Sequence, residues 1–336
     1  MQEVFSGVYL QEFPLTGNPL KTINIFVIKS GDEAMIVDTG FNNEELKGCM
    51  LNLIKELALD LSKTSLFLTH LHSDHLGLAS FLEERGISQI YLSKVDGALN
   101  DSSVESDGEF WQKLKADAHK QGLDEDNLMI EEHPGFKNRP DKYFTYTPCN
   151  IGDIIRVGDF NFELIDEAGH TPGMLGLYEK DKKILFCGDH ILGKITPNIT
   201  YWGYQLEDSL GTYLKNIEKL KLMDIKFLFS SHRFLVKDIT VRIDELKEHH
   251  RHRLNEVMNI LKENDGITVR NLTALMHWDI KARTWEEFPS SQKWFAAGEA
   301  MAHITYLKKR GLVKESVLDN GVLVYSLNKY KYFEFL

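Results

Sequence analysis

An α/β fold followed by a small helical module with a β-wing is what the amino-acid sequence predicts, and three observations predict it. Apolar runs of strand length recur between helix-patterned stretches. Several of those runs stop at a histidine or an aspartate. After about residue 238 the composition changes to a long charged helix and a compact tail. With 336 residues, 43% of them hydrophobic, the chain can bury a large core in one big domain or two. We place the division at 238: residues 1–238 form the α/β domain, and 239–336 a connecting helix and a winged-helix domain.

Each element has its own signal. "TINIFVIKSGDEAMIVDTG" alternates Ile23, Ile25 and Val27, turns at Ser30-Gly31-Asp32 and resumes with Met35, Ile36 and Val37, the pattern of a β-hairpin. A helical pattern fills 43–58, and "SLFLTH" is a short apolar strand ending at His70. One helix is expected next, with Asp74 or a neighbour at its cap, Leu78, Phe81 and Leu82 inward and Gly86 as its stop. Residues 100–150 are polar, acidic and partly helical, and read as an insertion that could act as a lid. Hairpins return in "IIRVGDFNFELID", turning at Gly158-Asp159, and in "MLGLYEKDKKILFCGDH", turning at Asp181-Lys182. A helix over 207–222 precedes "KFLFSSHR", another strand that delivers a histidine, His232. In the tail, helices over 268–277, 290–297 and 299–310 precede "GLVKES" and "GVLVYSL", two strands joined through Asp319-Asn320-Gly321.

Composition excludes several classes. Against 39 basic residues stand 50 acidic ones, a formal net charge of -11, which disfavours general attraction to nucleic acid or to anionic membranes. Cys49, Cys149 and Cys187 are widely spaced and odd in number, so a disulfide framework is a poor reading. The opening "MQEVFSGVYL" has no basic stretch leading into an apolar one, and no apolar run is long enough to span a bilayer. The expectation is a cytoplasmic protein without a membrane partner.

The chemistry concentrates in "THLHSDHLG". His70 and His72, two apart in extended chain, point the same way and can share one metal ion, while Asp74 and His75 in the following turn can reach a second. His170 in "EAGHTPG", Asp189 in "CGDH" and His232 in "SSHR" arrive later, each at a strand end. Strand ends of an α/β sheet converge on one edge, where ligands bind. Imidazole and carboxylate donors suit divalent transition metals: zinc first, with iron or manganese as alternatives. Neighbouring groups have plainer readings. His190 is a near-site residue, and Cys187 is a small buried residue rather than a thiolate ligand. "EHHRHR" (248–253) is a solvated helix surface from which Arg253 could face the cleft, and "YLKKRG" (306–311) is a helix end whose cations suit the dipole. Trp278, Trp285, Phe288, Trp294 and Phe295 are core for the small tail before they are a stacking platform.

His70-x-His72-x-Asp74-His75, together with His170, Asp189 and His232, resembles the metallo-β-lactamase superfamily over roughly the first two thirds of the chain. The resemblance implies an αββα sandwich holding two divalent metal ions. His70, His72 and His170 would bind the first, Asp74, His75 and His232 the second, and Asp189 would bridge them. It also implies that Asp38 of "IVDTG" supports the site from behind. "GDHILGKITPNI" and "EAMAHITYLKKRGLV" are similar to the subgroup with a C-terminal winged-helix domain, which includes an endoribonuclease and bacterial hydroxyacylglutathione hydrolase-like proteins. The implied activity is hydrolysis of an ester or thioester of a small acyl substrate by a metal-bridging hydroxide, with Asp74 orienting the nucleophile and Asp189 bridging the ions. RNA is an alternative substrate for an endoribonuclease or phosphodiesterase, which would need a basic groove built from residues such as Lys194, Arg233, Lys237, Arg242 and Arg253. A DNA-binding regulator with a metal-sensing domain is a third reading. The tail is expected to pack on the first domain, or on a second subunit in a homodimer, and to shape the cleft together with the insertion.

Overall fold

A computed structural model describes residues 1–328. Two sheets carry the fold. The first has seven strands in sequence order: β1 (Gln2–Phe5), β2 (Val8–Pro14), β3 (Thr22–Ser30), β4 (Glu33–Val37), β5 (Thr64–Phe67), β6 (Gln89–Ser93) and β7 (Thr147–Cys149). The second, in the order β12-β11-β10-β9-β8, contains β8 (Ile154–Val157), β9 (Phe160–Asp166), β10 (Leu175–Glu179), β11 (Ile184–Gly188) and β12 (Phe227–Ser230). Alternation along β3 decides its packing. Phe26 and Ile28 join Phe67, Phe162, Phe186 and Phe229 between the sheets, whereas Ile23, Ile25 and Val27 lie beneath the outer helices with Leu46, Met50 and Leu53. The helices are α1 (Glu44–Glu56), α2 (Ser73–Leu76), α3 (Ala79–Glu83), α4 (Lys94–Val104), α5 (Glu109–Lys120), α6 (Pro134–Lys137), α7 (Ser209–Leu220), α8 (Ile239–Glu263), α9 (Val269–Leu275) and α10 (Ser290–Lys309). The expected αββα layering is observed: α1 and α3 cover the first sheet, and α7 and α8 the second.

Topology then places the site. β4, β5 and β6 run parallel, as do β11 and β12, while β9 is antiparallel to β10 and β10 to β11. The C-terminal ends of β4 and β5 in one sheet and of β9, β11 and β12 in the other therefore share one edge. Asn24 ties the sheets there, donating its backbone N–H to Ser231 O (2.7 Å) and its side-chain amide to Ser230 O (2.9 Å).

The segment after His70 forms two short helices rather than one. Its N-terminal position is His72, without a side-chain cap, so Asp74 is released from capping and faces the cluster described below. In the tail, 290–309 is one continuous helix instead of two. Gly298 invited a break, but a single glycine costs only about 1 kcal/mol relative to alanine, and α10 buries residues on several faces. Strands β14 (Val313–Val317) and β15 (Leu323–Leu327) form the expected hairpin, with the two-residue β13 (Ile267–Thr268) on its other side.

The tail shares two cores with the rest of the chain. Leu185, Tyr213 and Leu228 of the second sheet and its helices are continuous with Leu254, Ile304 and Tyr325. Trp111, Leu123, Ile130 and Phe136 of the insertion pack with Trp285 and Trp294. Asp126 of the insertion accepts from Arg270 Nε (3.1 Å), Lys293 Nζ (2.9 Å) and Trp285 Nε1 (2.8 Å). The aromatic residues of the tail are thus core, but a core completed by the insertion. The reading of 248–253 as a solvated surface holds only in part. His250 and Arg253 are buried, His250 against His303 at 3.1 Å, because α8 is covered by α10 on that face.

Candidate metal centre

Each site residue projected from the sequence lies at the shared sheet edge. Thr69 and His70 follow β5, His72 to His75 enter and form α2, His170 sits between β9 and β10, Asp189 follows β11, and His232 follows β12. The structure gathers them in three overlapping groups whose donor atoms lie within 4.8 Å of one another: His70, His72 and His170; His70, His75 and Asp189; Asp74, His75 and His232. All are buried except His72, which is half-buried.

The outward-facing ring nitrogens fix the tautomers. His75 Nδ1–H donates to Asp38 Oδ2 (2.8 Å), His170 Nδ1–H to Asn198 O (2.8 Å) and His232 Nδ1–H to Thr22 O (2.8 Å). The Thr69 hydroxyl donates to Asp38 (3.0 Å to Oδ2), which leaves its oxygen to accept from His70 Nδ1–H (2.9 Å). In a neutral imidazole the other nitrogen is then a lone pair, and all four Nε2 atoms face inward. His70 Nε2 and His170 Nε2 lie 3.1 and 3.0 Å from His72 Nδ1, three nitrogens converging on one point. Asp189 divides its carboxylate: Oδ2 is 3.7 Å from His170 Nε2, while Oδ1 is 3.6 Å from His75 Nε2 and 3.4 Å from His232 Nε2. Asp74 Oδ2 is 3.4 Å from His232 Nε2. His75 Nε2, His232 Nε2 and Asp189 Oδ1 are buried with no hydrogen-bond partner among the described residues. Buried polar atoms are normally paired, so inward lone pairs and carboxylates at these separations fit a cation better than they fit one another.

The field of the pocket is uneven. Burial, reinforced by neighbouring imidazoles, holds His70 well below its ordinary pKa and His72 down to about 3. At His75 and His232 burial acts in the same direction, but the carboxylates of Asp38, Asp74 and Asp189 outweigh it and raise both rings. Burial pushes the two acids up, and the imidazoles overcome it, bringing Asp74 to about 2 and Asp189 lower still.

A family model described as the metallo-beta-lactamase superfamily matches residues 19–232. The chain belongs to that superfamily. Its relatives there are hydrolases. A Caenorhabditis elegans beta-lactamase-like protein 2 homolog is 23% identical over 90% of this chain and 82% of its own length. The hydroxyacylglutathione hydrolase GloC of Haemophilus influenzae is 32% identical over 46% of this chain and 60% of its own. The human acyl-coenzyme A thioesterase MBLAC2 is 25% identical over 58% of this chain and 67% of its own. A metallo-beta-lactamase family protein from Thermus thermophilus superposes with a TM-score of 0.77 at 25% identity, covering 97% of this chain and all of the other (100%).

Sequence reasoning missed several residues of this superfamily site. Asp96, at the start of α4, is fully buried and accepts from Leu71 N (3.0 Å), Thr171 Oγ1 (2.6 Å) and Gly173 N (2.6 Å), joining the loops that carry His72 and His170. In "YLSKVDGAL" it looks like any acid in a first helical turn, so no spacing signal marks it. Trp202 donates Nε1–H to His170 O (3.0 Å) and stacks over His72 at 6.3 Å. Of the residues nominated for a basic groove, the three arginines are tied to backbone carbonyls and carboxylates. Arg233 donates to Leu20 O and Pro19 O, Arg242 to Leu192 O and Ile195 O, and Arg253 to Glu299 and His277 O. Lys194 lies over the Phe234 ring. Among the described residues no helix is long and apolar enough to cross a membrane.

Proposed function

We propose that the chain is a binuclear metal-dependent hydrolase of an ester or thioester of a small acyl substrate. His70, His72 and His170 would hold one divalent ion and Asp74, His75 and His232 the other, with Asp189 available to both; zinc is the first choice, with iron or manganese as alternatives. The observation that carries this reading is the split carboxylate of Asp189, with one oxygen toward each histidine set. When bound, such ions bring the pKa of a coordinated water to about 7 and polarise a carbonyl oxygen. Asp74 stays ionised at neutral pH and can accept a hydrogen bond from the attacking water, orienting it. His72 is the half-buried member of the set, and Trp202 stacks on it while Phe110 of α5 lies 6.4 Å from Trp202. That aromatic wall suits the apolar part of an acyl group.

The relatives named as an acyl-coenzyme A thioesterase and a hydroxyacylglutathione hydrolase support this class of substrate. A ribonuclease reading would have to contend with the net charge of -11 and with guanidiniums already taken up by carbonyls and carboxylates, and is less favoured. We take residues 239–336 to be a winged-helix unit that shapes the cleft rather than reads nucleic acid, since Trp285 and Trp294 are used in packing against the insertion. Metal analysis of the purified protein, followed by a panel of thioesters, esters, lactones and RNA, tests the proposal. Turnover of a thioester that is lost in His72→Ala together with bound metal is the expected result. Retention of both metal and turnover in that variant would overturn it.

A further inference from the structure

The carbonyl that accepts from His170 belongs to Asn198, and Asn198 is itself held by the tail. Its side-chain amide donates to Glu299 Oε2 at 3.2 Å, and Glu299 Oε1 accepts from Arg253 Nε of α8 at 3.1 Å. Arg253 is fixed in turn by Glu256 (2.7 Å) and by His277 O (2.8 Å), with its guanidinium 4.1 Å from the Trp278 ring centroid. One residue along α10, Gly298 O accepts from Tyr201 N at 3.1 Å, and a Cβ at Gly298 would collide with Thr200, so only glycine lets α10 approach this closely. The 198–202 loop thus meets α10 at two adjacent positions and meets His170 at two others, the Asn198 carbonyl and the Trp202 indole.

An imidazole ligand needs its outer nitrogen engaged in one direction to aim the inner one. A loop carbonyl can do this only if its peptide plane is held. We propose that Glu299, on the C-terminal helix α10, is a positioning residue for the His70, His72 and His170 set, holding through Asn198 the carbonyl that aims His170. The inference rests on the metal reading above. It gives the tail a task at the site: its buried ion pair with Arg253 presents a rigid acceptor to Asn198 from outside the family match at 19–232.

The test is stepwise zinc uptake by the metal-stripped full-length protein against a chromophoric chelator, with the melting temperature of each stripped variant as a check on folding. His170→Ala marks which step belongs to the three-histidine set. In Glu299→Ala that step weakens by about 10–100-fold, the usual effect of removing an outer partner of a ligand, while the other step stays within about threefold of wild type. Glu299→Gln must turn an N–H toward either Asn198 or Arg253 and recovers only part of the loss, whereas Asn198→Ala, which keeps the backbone carbonyl but removes the amide that Glu299 holds, weakens the same step as Glu299→Ala does. The inference is overturned if Glu299→Ala titrates like wild type, or if both steps weaken together in proportion to a lower melting temperature, which would make Glu299 a purely structural anchor. Wild-type protein that takes up no zinc would instead overturn the metal reading, and this inference with it.

Discussion

The two halves of the candidate metal centre are supported by different parts of the chain. His75 and His232 lean on the sandwich itself: Asp38 at the end of β4 accepts from one, and Thr22 O at the start of β3 accepts from the other. His170 leans on a loop carbonyl, Asn198 O, and on the Trp202 indole, both beyond the second sheet and against α10. The halves also differ in charge. Carboxylates surround His75 and His232 and raise their pKa, whereas His70 and His72 are lowered by burial and by neighbouring imidazoles. One half is therefore cation-attracting and rigidly built, and the other is neutral and depends on distant segments for its aim.

Asp189 belongs to both halves, and its loss should have the largest effect. Asp189→Ala is expected to reduce the bound metal from two ions to one or none and to lower kcat/KM by at least about 10²–10³-fold, the scale of losing a group that stabilises developing charge. Equal metal content in variant and wild type would show that the halves do not share this carboxylate. Asp38→Asn comes next. Asp38 is held in the left-handed region at φ 62°, a strained position for a residue with a side chain, and there it accepts from Thr69 N (2.9 Å), Ser231 Oγ (3.2 Å) and His75. An asparagine must turn an N–H toward one of these donors. The ion at Asp74, His75 and His232 should weaken by about 10–100-fold, and more than the ion at the three-histidine set, as read by stepwise metal titration. An effect confined to the three-histidine set would reverse the comparison.

That the sequence exposed the candidate ligands better than their supports follows from the same contrast. His70, His72, Asp74 and His75 fall within six residues, and His170, Asp189 and His232 end apolar runs, so residue type and spacing expose them. Asn198 acts through a backbone carbonyl, which every residue has, and Glu299 acts across 101 positions of sequence. Pairings of that kind exist only once α10 has docked. The helix boundaries went astray for a related reason: Gly298 and Asp74 have strong local preferences, a break and a cap, which tertiary packing overrides.

Asp96 offers a pH test of how the two loops are joined. Burial outweighs its three hydrogen bonds and lifts its pKa from 3.8 to about 6. The folded protein therefore keeps the proton to higher pH than the unfolded chain does. The stability Asp96 contributes is fully present below pH about 4 and is lost as pH rises through about 6. Two units at 1.36 kcal/mol each set the span at about 3 kcal/mol. Denaturant unfolding of metal-stripped wild type and Asp96→Asn between pH 4 and 7 should show the wild type losing ground to the variant across that window, by up to that amount. Parallel profiles would mean that the carboxyl does not carry the charge between the His72 and His170 loops.

The smallest effect is expected at Cys187, two residues before Asp189. Plain alternation along β11 would point both side chains the same way and make a thiolate ligand plausible. The chain does otherwise: pairing of β11 with β12 shifts register between Phe186 and Gly188, and Gly188 takes φ 49°. A Cβ at Gly188 would come within 2.8 Å of Thr69 and 2.7 Å of Met174, so glycine is required where the strand turns toward the centre. Asp189 then faces the histidines, while Cys187 packs into the core under α7 and α8, its sulfur 3.6 Å from Ile191 O and 3.7 Å from Phe229 O. Burial pushes its thiol well above the ordinary range, the opposite of what a metal-binding thiolate needs. Cys187→Ala should keep both ions and the activity and cost about 1 kcal/mol of stability in denaturant unfolding, the effect of one lost buried group. Loss of an ion in that variant would place sulfur at the centre and remove the division of labour between the two halves, because a thiolate beside Asp189 would give the histidine sets a second shared anchor.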